Sequence, residues 1–134
     1  MPMQQALGEF DVKLPNQPPA EGTEAAQLGR RAILKEFRGD LQGSSLGEML
    51  AAGSTVPGSA GYVAMERVEG SLAGRSGSFV LMHFGVMDRG QSSLTIRVVP
   101  DSGTDGLAGL IGTMNIDIRD GHHFYRLDYE LPPA

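Results

Sequence analysis

The sequence predicts an all-β fold, a closed antiparallel eight-stranded meander barrel, and three observations carry that prediction. Glycine and proline occur 19 and 8 times in 134 residues, and the longest stretch free of both is only His122–Leu131. An interior glycine costs a helix about 1 kcal/mol against alanine and a proline about 3, which excludes helical bundles, coiled coils and transmembrane helices. Apolar and polar residues alternate along segment after segment, the period of a half-buried strand. About eight such segments follow one another without helices between them, joined by short glycine-rich turns. Closure into a barrel removes the edges that an open sheet would have to protect. A β-sandwich is the alternative architecture.

Each element has its own signal. In the first strand Phe10, Val12 and Leu14 alternate with Glu9, Asp11 and Lys13. Residues 15–24 contain Pro15, Pro18 and Pro19 in polar filling and read as a surface loop across a barrel mouth. Strands are then expected over Leu28–Arg38, Ser45–Ala52, Gly61–Ala73 and Ser76–Val86. The turns are Gly39-Asp40, Gly53-Ser54, Asp88-Arg89-Gly90 and Asp101-Ser102-Gly103. Leu94, Ile96 and Val98 mark the next strand, and Met114, Ile116 and Ile118 the one after. The last is the clearest, with Tyr125, Leu127, Tyr129 and Leu131 alternating with Phe124, Arg126, Asp128 and Glu130. Gly29, Gly47, Gly61, Gly70, Gly77, Gly85, Gly109 and Gly112 fall inside expected strands, where glycine permits the bulges and coiling a small barrel needs. Nothing divides residues 1–134, so a single domain is expected.

Charge and motifs narrow the function classes. Eleven Lys and Arg against sixteen Asp and Glu give a formal charge of −5, with no basic cluster longer than Arg30-Arg31, which argues against nucleic acid as a partner. The absence of cysteine removes disulfides, thiolate nucleophiles and thiolate metal sites. The first residues carry neither a basic nor an apolar leader, so no secretory signal and a cytoplasmic location are expected. No membrane association is expected either. Adjacent His122 and His123 point to opposite faces of a strand and cannot chelate one metal from that conformation. Asp101–Gly106 starts like a calcium loop, but Gly112 stands where the bidentate carboxylate is required, so it reads as a turn. No metal and no cofactor are expected.

The 61–88 segment is the most informative. With Gly74-Arg75 as a two-residue turn, Glu66 faces His83, Val68 faces Leu81, and Gly70 faces Phe79 with room for the ring over the glycine. Tyr62, Ala64, Leu72, Phe79, Leu81 and Met87 share the face of Glu66 and His83. A carboxylate in an apolar row is costly unless paired, and pairing with histidine couples the two protonation states. Glu66 and His83 are therefore the candidate catalytic pair, and a purely structural pair is the competing reading. The other face carries Val63, Met65, Val80, Met82, Phe84 and Val86. A barrel has no need of a second apolar face, so a homodimer through these residues is expected, unless the 15–24 loop covers them.

Several runs carry a resemblance. Tyr62–Gly70, Gly74–His83, Val98–Thr104, Leu107–Leu110 and Tyr125–Leu131, with Phe37–Leu41 upstream, resemble an uncharacterised bacterial family catalogued as a domain of unknown function. The likeness covers most of the chain and departs from it at the proline-rich loop. It implies a closed eight-stranded barrel similar to that of allene oxide cyclase, often paired as a dimer, and it carries no known reaction. On the residues, three functions compete. The first is a barrel binding a small hydrophobic molecule, lined by Tyr62, Phe79, Leu81, Tyr125 and Tyr129. The second is a cofactor-independent isomerase, cyclase or lyase with Glu66 as base and His83 tuning it. The third is a filled barrel serving as a protein-interaction module.

Overall fold

The computed structural model describes residues 3–134. Its strands are β1 (Gln4–Lys13), β2 (Asn16–Gln17), β3 (Gly29–Gly39), β4 (Leu41–Gly53), β5 (Ala60–Leu72), β6 (Arg75–Asp88), β7 (Gln91–Val98), β8 (Ile111–Arg119) and β9 (His122–Glu130). All pairings are antiparallel, and β3 to β9 pair in chain order. β1 then pairs with both β9 and β3, which closes the eight long strands into a barrel. Two short 3₁₀ turns, Glu24–Ala26 and Asp105–Leu107, are the only helical pieces among the described residues. No helix of the described residues is long and apolar enough to cross a membrane.

The first strand begins earlier than its periodicity suggests, at Gln4, and outlasts its own break. Lys13 pairs with Leu34, the Ala32 amide donates to the Pro15 carbonyl at 3.0 Å, and Asn16 pairs with Arg31. β2 is thus β1 resumed on the same edge of β3, interrupted where proline offers no N–H. This pairing also corrects the expected course of residues 15–24. The segment does not cross a mouth of the barrel. The Arg30 guanidinium donates to the Pro18 carbonyl at 3.1 Å, and Pro19, Ala20 and Thr23 wall a groove on the outer surface.

The β5–β6 turn corrects the expected register. Its central residues are Ala73 and Gly74, with φ of +53° and +75°, the geometry of a type I′ turn. Arg75 is thereby spared a left-handed backbone and opens β6. Pairing shifts by two residues, so that Glu66 faces Leu81, Ala64 faces His83, Val68 faces Phe79 and Gly70 faces Gly77. A shift of two keeps every side chain on its face, which is why the inward set survives the error. The ring-over-glycine contact also exists, but at Tyr62 and Gly85, which pair directly; a Cβ on Gly85 would overlap the tyrosine ring. Gly109 lies outside any strand, in the β7–β8 loop with φ of +82°.

Inside, the barrel has two unlike halves. One is packed solid with Ala6, Phe10, Phe37, Leu41, Val68, Leu72, Phe79, Leu81, Leu127 and Tyr129, and the β7–β8 loop plugs its end with Leu107 and Leu110. Hydrogen bonds seat that loop against the start of β6: Thr104 N to Ser78 O at 2.9 Å and Val80 N to Ser102 Oγ at 3.0 Å. Tyr125 crosses the same half, accepting from the Leu41 amide at 2.8 Å, with the Arg38 carbonyl oxygen 2.9 Å from its hydroxyl. At the opposite end the wall is thinner. The β7–β8 ladder consists of two pairs, Ile96 with Met114 and Arg97 with Thr113.

Candidate functional site

A belt of polar side chains crosses the lumen between the two halves. Lys35 lies on β3 between inward-facing Ile33 and Phe37, and directly faces Ser45 on β4. Glu66 follows on β5, and His83 on β6, each on the inward face. All four are buried, Glu66 to 1% exposure and Lys35 and His83 to 6%. Leaving such groups unpartnered would cost several kcal/mol each. They partner one another. Glu66 Oε2 accepts from Lys35 Nζ at 2.8 Å and from His83 Nε2 at 2.7 Å, and Oε1 accepts from Ser45 Oγ at 2.7 Å. The Lys35 ammonium also stands 4.7 Å from the centroid of the Phe10 ring, within cation–π range.

These contacts set the ionisation of Glu66. Burial alone pushes its carboxyl up, but the His83 hydrogen bond, the Lys35 charge and hydrogen bond, and the Ser45 hydroxyl together hold it down to about 2. A depressed carboxyl stabilises the fold above its ordinary value of 4.5, and that stability disappears as pH falls towards about 2. The wild-type barrel is therefore expected to lose on the order of 3 kcal/mol through Glu66 across that window. Urea midpoints measured at stepped pH check this, and the loss should be much shallower in Glu66→Gln.

Beyond His83 the belt continues outward. Tyr62 on β5 places its hydroxyl 3.3 Å from His83 Nδ1. Burial, and then the charge of Glu66, push the Tyr62 phenol above its usual value, so it stays protonated at neutral pH. Its ring, over Gly85, borders a cavity of about 330 Å³ in the open half. Met49, Ala51, Met87, Ser92 and Leu94 also line it. A larger concavity of about 730 Å³ lies outside the barrel, between the 15–24 segment and the outer faces of β4, β5 and β6. Its charged groups, Arg30 and Glu48, are already paired at 2.6 Å.

The chain as a whole can now be set beside known proteins. A family model described as "Protein of unknown function (DUF3224)" matches residues 6–129. The chain belongs to the DUF3224 family. A 1.84 Å crystal structure of a DUF3224 protein with unknown function from Shewanella oneidensis MR-1 matches it at 49% identity and a TM-score of 0.91, covering 99% of this chain and 100% of that one. Comparison with curated proteins gives no match. The closed barrel and membership of an uncharacterised family, both expected from the sequence, hold for this DUF3224 member.

Of the side chains singled out in the DUF3224 sequence, the fold brings three together: Glu66, His83 and Tyr62. Phe79, Leu81, Tyr125 and Tyr129 belong to the packed half. Tyr125 spends its hydroxyl on backbone groups, and Tyr129 donates to Gln4 Oε1 at 3.2 Å. Lys35 and Ser45 went unread in the sequence. The signal for Lys35 was present, because the inward positions Ile33 and Phe37 bracket it at period two. Ser45 had no such signal, being one small polar residue in the glycine-rich run Gly43–Gly47.

Proposed function

We propose that this DUF3224 barrel binds a small, largely apolar molecule in the open half of its lumen. The observation that supports the reading is the division of the interior. One half is filled, whereas the other keeps an apolar cavity that ends on Tyr62 and, behind it, on a buried polar belt. Apolar walls with few convergent polar groups are the ordinary make-up of a ligand pocket. Within this reading Glu66 is a positioning residue. Both its oxygens are occupied, its side chain is sealed, and its depressed carboxyl makes it a poor base.

Indole is a convenient neutral probe, since the chain has no tryptophan to compete with its fluorescence. Saturable binding to the wild type is expected, with at least about tenfold weaker binding to Ala51→Phe, which fills the cavity from its wall. Equal affinity for both proteins, or no saturable binding to the wild type, would overturn the proposal.

A second reading concerns assembly. Val63, Met65, Met82, Phe84 and Val86 stand on the outer face, with Phe84 60% and Met65 51% exposed, and Val80 half-buried beside them. The 15–24 segment flanks this strip without covering it. Contiguous apolar patches beyond a few hundred Å² are rare on monomers, and a two-fold pairing of one strip with its copy is the commonest way to cover them. A homodimer through this face is expected to sediment as two chains, and Phe84→Glu with Met65→Glu to sediment as one.

A further inference from the structure

The ionised carboxylate of Glu66 fixes the imidazole beside it. Because Glu66 accepts from Nε2 of His83 at 2.7 Å, Nε2 carries a proton, and in a neutral ring Nδ1 is then an acceptor. In that neutral state the Tyr62 hydroxyl, 3.3 Å from Nδ1, is placed to donate to it. Its own lone pairs are left as the hydrogen-bonding capacity it can offer a ligand. The order from the cavity inward is phenol, imidazole, carboxylate, ammonium, and the imidazole side chain is only 4% exposed. The ionisable groups bonded to His83 are Tyr62 and Glu66, both on β5, with Lys35 of β3 behind Glu66; its partner on β7 is Ile96.

We propose that this relay is a proton-accepting site for a compact apolar molecule bearing one weakly acidic O–H, a phenol or an enol. The proposal rests on the cavity reading above and assigns its ligand class. In the step, the ligand O–H bond breaks and its proton bonds to the Tyr62 oxygen. The Tyr62 O–H bond breaks at the same time, and that proton bonds to His83 Nδ1. The ligand oxygen keeps the electron pair. Tyr62 thus remains a neutral phenol throughout, now donating to the ligand anion and accepting from the imidazolium. Charge balances at each stage: Lys35 and Glu66 offset one another before the transfer, and imidazolium and ligand anion offset one another after it. A phenol that resists ionisation is suited to such a part, because it passes the proton on without holding the charge.

The test uses 4-nitrophenol, whose phenolate absorbs in the visible, at a pH where the free compound is protonated. Wild-type protein is expected to raise its ionised fraction at least about tenfold, saturably with protein concentration. His83→Gln and Tyr62→Phe should both lose that band, and saturable indole binding to each variant, at whatever affinity, shows that the cavity still takes a ligand. Bound but protonated nitrophenol in the wild type overturns the relay and leaves the cavity reading standing, whereas failure of indole to bind overturns the cavity reading itself. A band that persists in either variant overturns the assigned route. Should either variant fail to fold, imidazole nitrogen NMR of the wild type decides: Nδ1 of His83 should change from acceptor to protonated on adding nitrophenol, and an unchanged signal overturns the proposal.

Discussion

Replacing Glu66 by glutamine is expected to destabilise the barrel by about 3–5 kcal/mol, because it strands the Lys35 ammonium in the lumen without a counter-ion. Domains of this kind have only about 5–15 kcal/mol in total. The loss would therefore appear as a large fall in the urea midpoint. Adding Lys35→Met should recover most of it, since the double variant removes both charges and keeps the volume of the lysine stem. The gap between the double variant and the sum of the singles measures the coupling inside the belt. Simple additivity would mean that Lys35 and Glu66 do not support one another.

Phe79→Ala is expected to cost a similar amount, about 3–5 kcal/mol, through the cavity left where a fully buried ring stood. Its effect on binding should nevertheless be small. Phe79 faces Val68 within the packed half, whereas the proposed ligand sits beyond the polar belt, among Met49, Ala51 and Tyr62. Indole affinity within about twofold of the wild type, measured where the variant is folded, is the expected result. A loss of tenfold or more at full folding would place the ligand in the wrong half. Phe79→Ala and Ala51→Phe thus form a crossed pair, one acting on stability and the other on occupancy.

The period-two pattern located the long strands and the inward set because a half-buried strand repeats its chemistry every second residue. It is indifferent to register shifts of two, and so the hairpin turn could be misplaced at Gly74-Arg75 without moving Glu66 or His83 off the lumen. The pair was legible for that reason. Lys35 is inward by position but outward by residue type, because a lysine in a strand ordinarily marks the wet face, and only its partner two strands away makes an inward ammonium tolerable. Nor could alternation say which inward residues meet ligand and which meet each other. Phe79, Leu81, Tyr125 and Tyr129 have the same period and polarity as Tyr62. What separates them is the plug of Leu107 and Leu110 at one end, a long-range contact with no local signature.

The two-pair ladder between β7 and β8 has a mechanical meaning. Every other long seam of the barrel is laced along six pairs or more, but here Gln91–Thr95 and Asn115–Arg119 run on past the last rung. Those unlaced stretches lie at the open end, and Ser92, Ser93 and Leu94 on one of them also line the cavity. Local opening follows the places where fewest backbone bonds must break. The cylinder is therefore a cuff whose least-laced seam lies beside its pocket.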